Sequence, residues 1–152
     1  QRFIHIWNYA DYSLEIAWQN NSGEDCYAVA FHPSGFHVLA AIGDKISMMN
    51  VLSSSIKEYN SFTLKACREL KFSNGGHKFA AATGSGHVFV YDFYTGEHLP
   101  CKGHTAKVRC IDWFADDMGF ASCPQDGTAY FFDLIKQKED GVREGDYDFS
   151  RR

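Results

Sequence analysis

Phe3-Ile4-His5-Ile6-Trp7-Asn8, Lys45-Ile46-Ser47-Met48-Met49-Asn50, His87-Val88-Phe89-Val90-Tyr91-Asp92 and Thr128-Ala129-Tyr130-Phe131-Phe132-Asp133 are one pattern written four times. Each run alternates, and each closes on a large apolar residue followed by Asn or Asp. The closing residues Trp7, Met49, Tyr91 and Phe132 lie 42, 42 and 41 residues apart. Apolar residues at every second position point to strands, because helices of similar repeat length need spacings of three and four. Enrichment in β-branched and aromatic residues argues the same way.

A second set of anchors runs in phase with the first. Phe31, Phe72 and Trp113 are each 41 residues apart. Two residues before them sit Val29, Leu70 and Ile111; seven residues after them sit Val38, Phe79 and Phe120. The intervening His32-Pro33-Ser34-Gly35, Ser73-Asn74-Gly75-Gly76 and Ala115-Asp116-Asp117 are made of residues that tight turns accept. A period near 41 with several short strands per unit predicts the four-stranded blades of a β-propeller. Inner strands are expected to start near Cys26, Ala66 and Lys107. Ile4, Ile6, Val29, Val38, Ile46, Met48, Leu70, Phe79, Val88, Val90, Ile111, Phe120 and Phe131 are expected to be buried.

Trp7-Asn8, Tyr91-Asp92 and Phe132-Asp133 resemble the Trp-Asp pair that closes a WD repeat, and Gly103-His104 resembles the Gly-His that opens one. The stretch from Gly103 through Ile111-Asp112-Trp113, Ala121-Ser122 and Asp126-Gly127-Thr128 follows the WD pattern closely. The earlier repeats lack Gly-His and carry Gly43 or Ser85 where the pattern has Asp. The resemblance implies an all-β, WD40-type β-propeller, here partial, with about three to four blades of a larger one. Residues 1–10 read as the last strand of a preceding repeat, 11–52, 53–94 and 95–134 as three repeats, and 135–152 as a charged loop leading into a next repeat, with room for one outer strand. A closed propeller of seven such blades needs roughly 290 residues, so the chain is expected to be part of a longer protein.

Composition narrows the function classes. The 152 residues are 45% hydrophobic and 16% aromatic, with net charge −4. No block of Lys or Arg suggests nucleic acid. The best apolar run, residues 36–42, is too short for a membrane span and is interrupted by His37. The start, Gln1-Arg2-Phe3-Ile4-His5, lacks the regions of a signal peptide and has no Met, which reads as an internal segment. Five cysteines without a C-x-x-C read as reduced, mostly buried thiols. The Asn20-Asn21-Ser22 sequon reads as a chance match in a polar loop.

No residue set predicts a catalyst. Ser122, His104 and Asp126 have the residue types of a hydrolase triad, but no oxyanion donor pair is indicated beside them. The WD resemblance makes them a structural hydrogen-bond network, shortened here because Phe132 stands where the family has Trp. The seven histidines have no ligand spacing for a metal. Gly84-Ser85-Gly86 lacks the third glycine and the helix of a dinucleotide site and reads as a strand-connecting turn. No cofactor is expected.

What remains is protein recognition through loops on a rigid frame. Asn20, Asn21, Glu24, Asp25, Lys107 and Gln125 are the candidate contact residues on one face. The turns at His32–Phe36, Ser73–Gly76 and Ala115–Met118 lie on the other, and sequence does not choose between the faces. Two longer segments, His32-Pro33-Ser34-Gly35-Phe36-His37-Val38 followed by Asp44–Leu52, and Lys71–Ala81, are similar to the axonemal WD-repeat proteins of cilia and flagella. That resemblance implies a non-enzymatic scaffold with axonemal dynein, regulatory-complex and microtubule-associated partners, and the composition points to none among nucleic acids or membranes. The alternative is a soluble peptide-binding propeller, such as a ubiquitin-ligase substrate receptor or a signalling scaffold in the cytoplasm.

Overall fold

The computed structural model describes residues 3–101, 106–134 and 148–151. Its strands are β1 (Phe3–Asn8), β2 (Ser13–Gln19), β3 (Cys26–Phe31), β4 (His37–Ile42), β5 (Lys45–Val51), β6 (Ile56–Thr63), β7 (Cys67–Phe72), β8 (Lys78–Thr83), β9 (Val88–Asp92), β10 (His98–Cys101), β11 (Val108–Trp113), β12 (Gly119–Pro124), β13 (Ala129–Asp133) and β14 (Asp148–Arg151). β1 and β2 form a half-blade. Three full antiparallel blades follow in sequence order: β3–β6, β7–β10 and β11–β14. The inner strands β3, β7 and β11 lie side by side. This is the partial all-β propeller that the spacing predicts, with the WD40-type blades that the resemblance implies.

The blades are held by alternation along the second and third strands. Val38, Ala40 and Ile42 of β4 pack with Ile4 and Ile16 of the half-blade, while Leu39 and Ala41 pack against the second full blade. In β8, Phe79 and Ala81 face the first full blade and Ala80 and Ala82 the third. Period-two side chains therefore supply both faces of a sheet buried on both sides, which is why these strands read as continuous apolar runs. The alanines keep the sheets close. The large rings fill the space toward the turn-face end: Phe79 stacks on Tyr91 with centroids 5.1 Å apart, and Phe120 on Phe132 at 4.9 Å. Each buried ring contributes roughly 1.5–3 kcal/mol of apolar transfer.

Three burial expectations need correction. Val29 is 53% exposed, although its repeat partners Leu70 and Ile111 are buried. Its side chain faces the half-blade, where the described residues include no inner strand to cover it. Ile6 and Phe131 are half-buried rather than buried. The thiols also divide: Cys67 and Cys101 are buried, Cys26 is half-buried, and Cys110 and Cys123 are exposed as register partners on β11 and β12. Burial pushes both the Cys67 and Cys101 thiols up to about 12. The charged tail contributes β14, paired with β13; residues 135–147 lie outside the described ones.

Candidate functional site

Antiparallel order puts the connections of every blade on two opposite rims. The loops entering each inner strand and the turns between second and third strands form one, here the loop rim. The turns between first and second and between third and fourth strands form the other, the turn face.

The loop rim is built by one bond repeated. Gly43 N donates to Asp25 O at 3.0 Å, Gly84 N to Ala66 O at 2.8 Å and Gln125 N to Lys107 O at 2.8 Å. Just inside it, each inner strand carries a β-bulge, between Cys26 and Ala28, Cys67 and Glu69, and Val108 and Cys110. A bulge leaves one residue unpaired and re-aims it; here these are Tyr27, Arg68 and Arg109. The Arg68 guanidinium lies 3.8 Å over the Tyr27 ring, joining two blades by a cation–π contact. Sequence reasoning missed these three residues. Their 41-residue spacing was visible, but a bulge is a property of pairing and leaves no mark in one strand.

Of the predicted contact residues on this rim, Asn21, Glu24, Asp25, Lys107 and Gln125 are exposed. Asn20 is not: it is 3% exposed. Its amide donates to Glu24 O at 2.7 Å and its carbonyl accepts from Ser22 N and Oγ, so it folds its own loop and is withdrawn as a contact residue. Of the network residues, Ser122 is fully buried, while Asp126 is exposed and accepts from Thr128 N at 3.0 Å and Oγ1 at 2.7 Å. Residues 102–105, and so His104, lie outside the described ones. The second blade repeats the turn with other residues: Thr83 Oγ1, Ser85 Oγ and His87 Nδ1 form a chain with separations of 3.0 and 2.9 Å.

The turn face is stitched from blade to blade. His32 Nε2 donates to Gly76 O at 3.0 Å. The Asp117 carboxylate accepts from Asn74 N at 2.8 Å, Asn74 Nδ2 at 2.9 Å and Gly75 N at 2.7 Å. Asn74 Nδ2 also donates to Phe114 O, and Trp113 Nε1 to Lys71 O. Burial opposes the charge on Asp117, but the amides of Gly75 and Asn74 outweigh it and hold the carboxyl below its ordinary value. Within each blade the two turns are tied by Val51 N to Phe36 O, Phe93 N to His77 O and Leu134 N to Met118 O. Chemically this is a rigid frame with fixed side-chain stations. Among the described residues, no group of three or more His, Cys, Asp or Glu is placed to hold a metal.

Known sequences agree with this architecture. The profile of the WD domain, G-beta repeat family matches residues 97–133. Cilia- and flagella-associated protein 57 A of Tetrahymena thermophila is 43% identical over 132 residues, 85% of this chain and 10% of that protein. The mouse cilia- and flagella-associated protein 57 is 35% identical over 140 residues, 91% of this chain and 11% of its own length. Echinoderm microtubule-associated protein-like 4 of Xenopus laevis is 23% identical over 139 residues, 86% of this chain and 15% of its own. The chain thus spans about a tenth of the length of the ciliary relatives it matches.

Proposed function

This chain belongs to the WD-repeat family, and we propose that it works as a non-enzymatic docking scaffold of the cilium or flagellum, fixed to the axoneme. The carrying observation is the identity of 35–43% over 85–91% of the chain to relatives named for cilia and flagella. The finer reading is that the scaffold docks or positions inner dynein arm and regulatory components beside the microtubule. The repeat units 11–52, 53–94 and 95–134 are part of the proposal.

The geometry supports a scaffold because the exposed side chains of both rims stand on turns already hydrogen-bonded within each blade, and on the turn face side chains also bond one blade to the next. A partner meeting such a surface pays little ordering entropy. Fractionation of isolated cilia tests the reading. The full-length protein is expected in the detergent-extracted axoneme. Recovery only in the soluble cell body would end the scaffold reading in favour of a soluble peptide-binding propeller.

A further inference from the structure

We propose that the turn face, rather than the loop rim, docks the partner, and that the docked segment is basic and studded with apolar side chains. This deepens the scaffold reading and rests on it. Phe36, His77 and Met118 occupy one repeat position, 41 residues apart. Through the turn-tying bonds, Phe36 stands beside the turn of Leu52 and His77 beside that of Tyr94; the His77 and Tyr94 rings are 5.8 Å apart. Phe36 is 67% exposed, Tyr94 66%, Met118 49% and Leu52 44%. At Tyr94 the open faces of the outer blades do not create this exposure. Tyr94 belongs to the blade that lies between two full blades, and it remains in solvent. Apolar side chains held out in a row by a rigid frame mark a binding surface more than isolated exposed residues do.

Charge selects the occupant. Among the described residues at the tips and strand ends of the three full blades, this face carries Asp92, Glu97, Asp112, Asp116, Asp117 and Asp133 against Lys57, Lys71 and Lys78, and Lys78 already pairs with Asp92 at 3.8 Å. Among the described residues the loop rim has no acidic excess, with Lys45, Lys65, Arg68, Lys107 and Arg109 against Glu24, Asp25, Asp44 and Asp126. Tyr27, an exposed aromatic of that rim in the full blades, is covered by Arg68. An acidic, aromatic surface attracts Lys and Arg by charge and by the faces of exposed rings, and it repels an acidic segment. The apolar stations then take the intervening Leu- or Ile-type side chains.

The test uses the full-length protein and two short labelled peptides, one alternating Lys and Leu, the other with Glu in place of every Lys, read by fluorescence anisotropy. The Lys/Leu peptide is expected to bind at least about tenfold more tightly. Phe36→Ser with Tyr94→Ser should weaken it about tenfold, and so should Glu97→Gln with Asp116→Asn. The second pair only removes charge from exposed carboxylates, so it keeps the test decisive if the first misfolds. Arg68→Glu with Lys107→Glu, on the loop rim, should leave binding within about twofold. Equal binding of the two peptides, or loss confined to the loop-rim variant, would overturn the proposal. The axonemal fractionation is read separately: an unmodified protein missing from the axoneme sinks the scaffold reading, whereas an axonemal protein with indifferent turn-face variants sinks only this one.

Discussion

His32 joins two blades with a single ring. Because Gly76 O can only accept, Nε2 carries the proton, and Nδ1 accepts from Ser34 N at 3.1 Å and faces Ser34 Oγ at 2.7 Å. The rings of Phe72, Phe93 and His37 close around it at 5.0, 4.9 and 5.5 Å. A second proton would sit on Nδ1, against an amide that already donates there. Burial holds the His32 pKa below its ordinary value; the Gly76 carbonyl works the other way, and His37 and His77 add to the depression. A histidine depressed in the folded state binds its proton more readily when unfolded. Its contribution is therefore complete above about pH 6.5 and is lost as pH falls from there toward the lower folded value. The urea midpoint is expected to drop between about pH 7.5 and about pH 5.5, and His32→Gln should flatten that slope. Identical slopes would show that His32 is not the sensor. Asp117 acts at the next joint, where Asp117→Ala should cost about 1 kcal/mol, because water can reach the amides it leaves. Asp117→Asn should recover about half of that in the same urea titration.

At the scale of the element, the turns between first and second strands do more than reverse the chain. Gly76 has φ of +76° and a Cβ there would run into the His32 ring, whereas Gly35, at φ +80°, has nothing within 4 Å. Gly35→Ala therefore carries only the left-handed backbone penalty, about 1 kcal/mol. Gly76→Ala adds overpacking of a further 1–3 kcal/mol or so. Denaturant midpoints of the two variants measure the difference, and equal losses would remove the steric role of His32. These turns were legible as turns, since Gly, Pro, Asn and Asp announce them. The strands were legible because alternation at a fixed 41-residue phase has few other solutions. The joints were not: Asn74 and Asp117 are 43 residues apart, and nothing in either turn names the other as partner. The bulges that re-aim Tyr27, Arg68 and Arg109 were hidden for a related reason, because they exist only relative to the neighbouring strand. Asn20 misled because a polar residue in a loop reads the same whether it faces solvent or caps its own backbone.

Across the whole molecule, burial is graded from blade to blade. The middle blade is covered on both faces, and Leu70, Phe72, Phe79 and Val88 are at most 6% exposed. The half-blade is covered on one, and Trp7 is 58% exposed although its repeat partners Met49, Tyr91 and Phe132 are at most 7% exposed. Val29 and Phe31, at 53% and 48%, show the same deficit on the facing side of the first full blade. Local opening is easiest where few apolar contacts must be broken, so the gradient in burial should become a gradient in amide protection. Hydrogen exchange of this chain followed by mass spectrometry is expected to find β8 and β9 slowest and β1 and β2 fastest. The first full blade should be intermediate, since only its face toward β7–β10 is closed by complete strands. If β1 and β2 exchanged as slowly as β8 and β9, the half-blade would have to be held by contacts other than Ile4 and Ile16 on Val38, Ala40 and Ile42, and the one-sided packing described for it would be wrong.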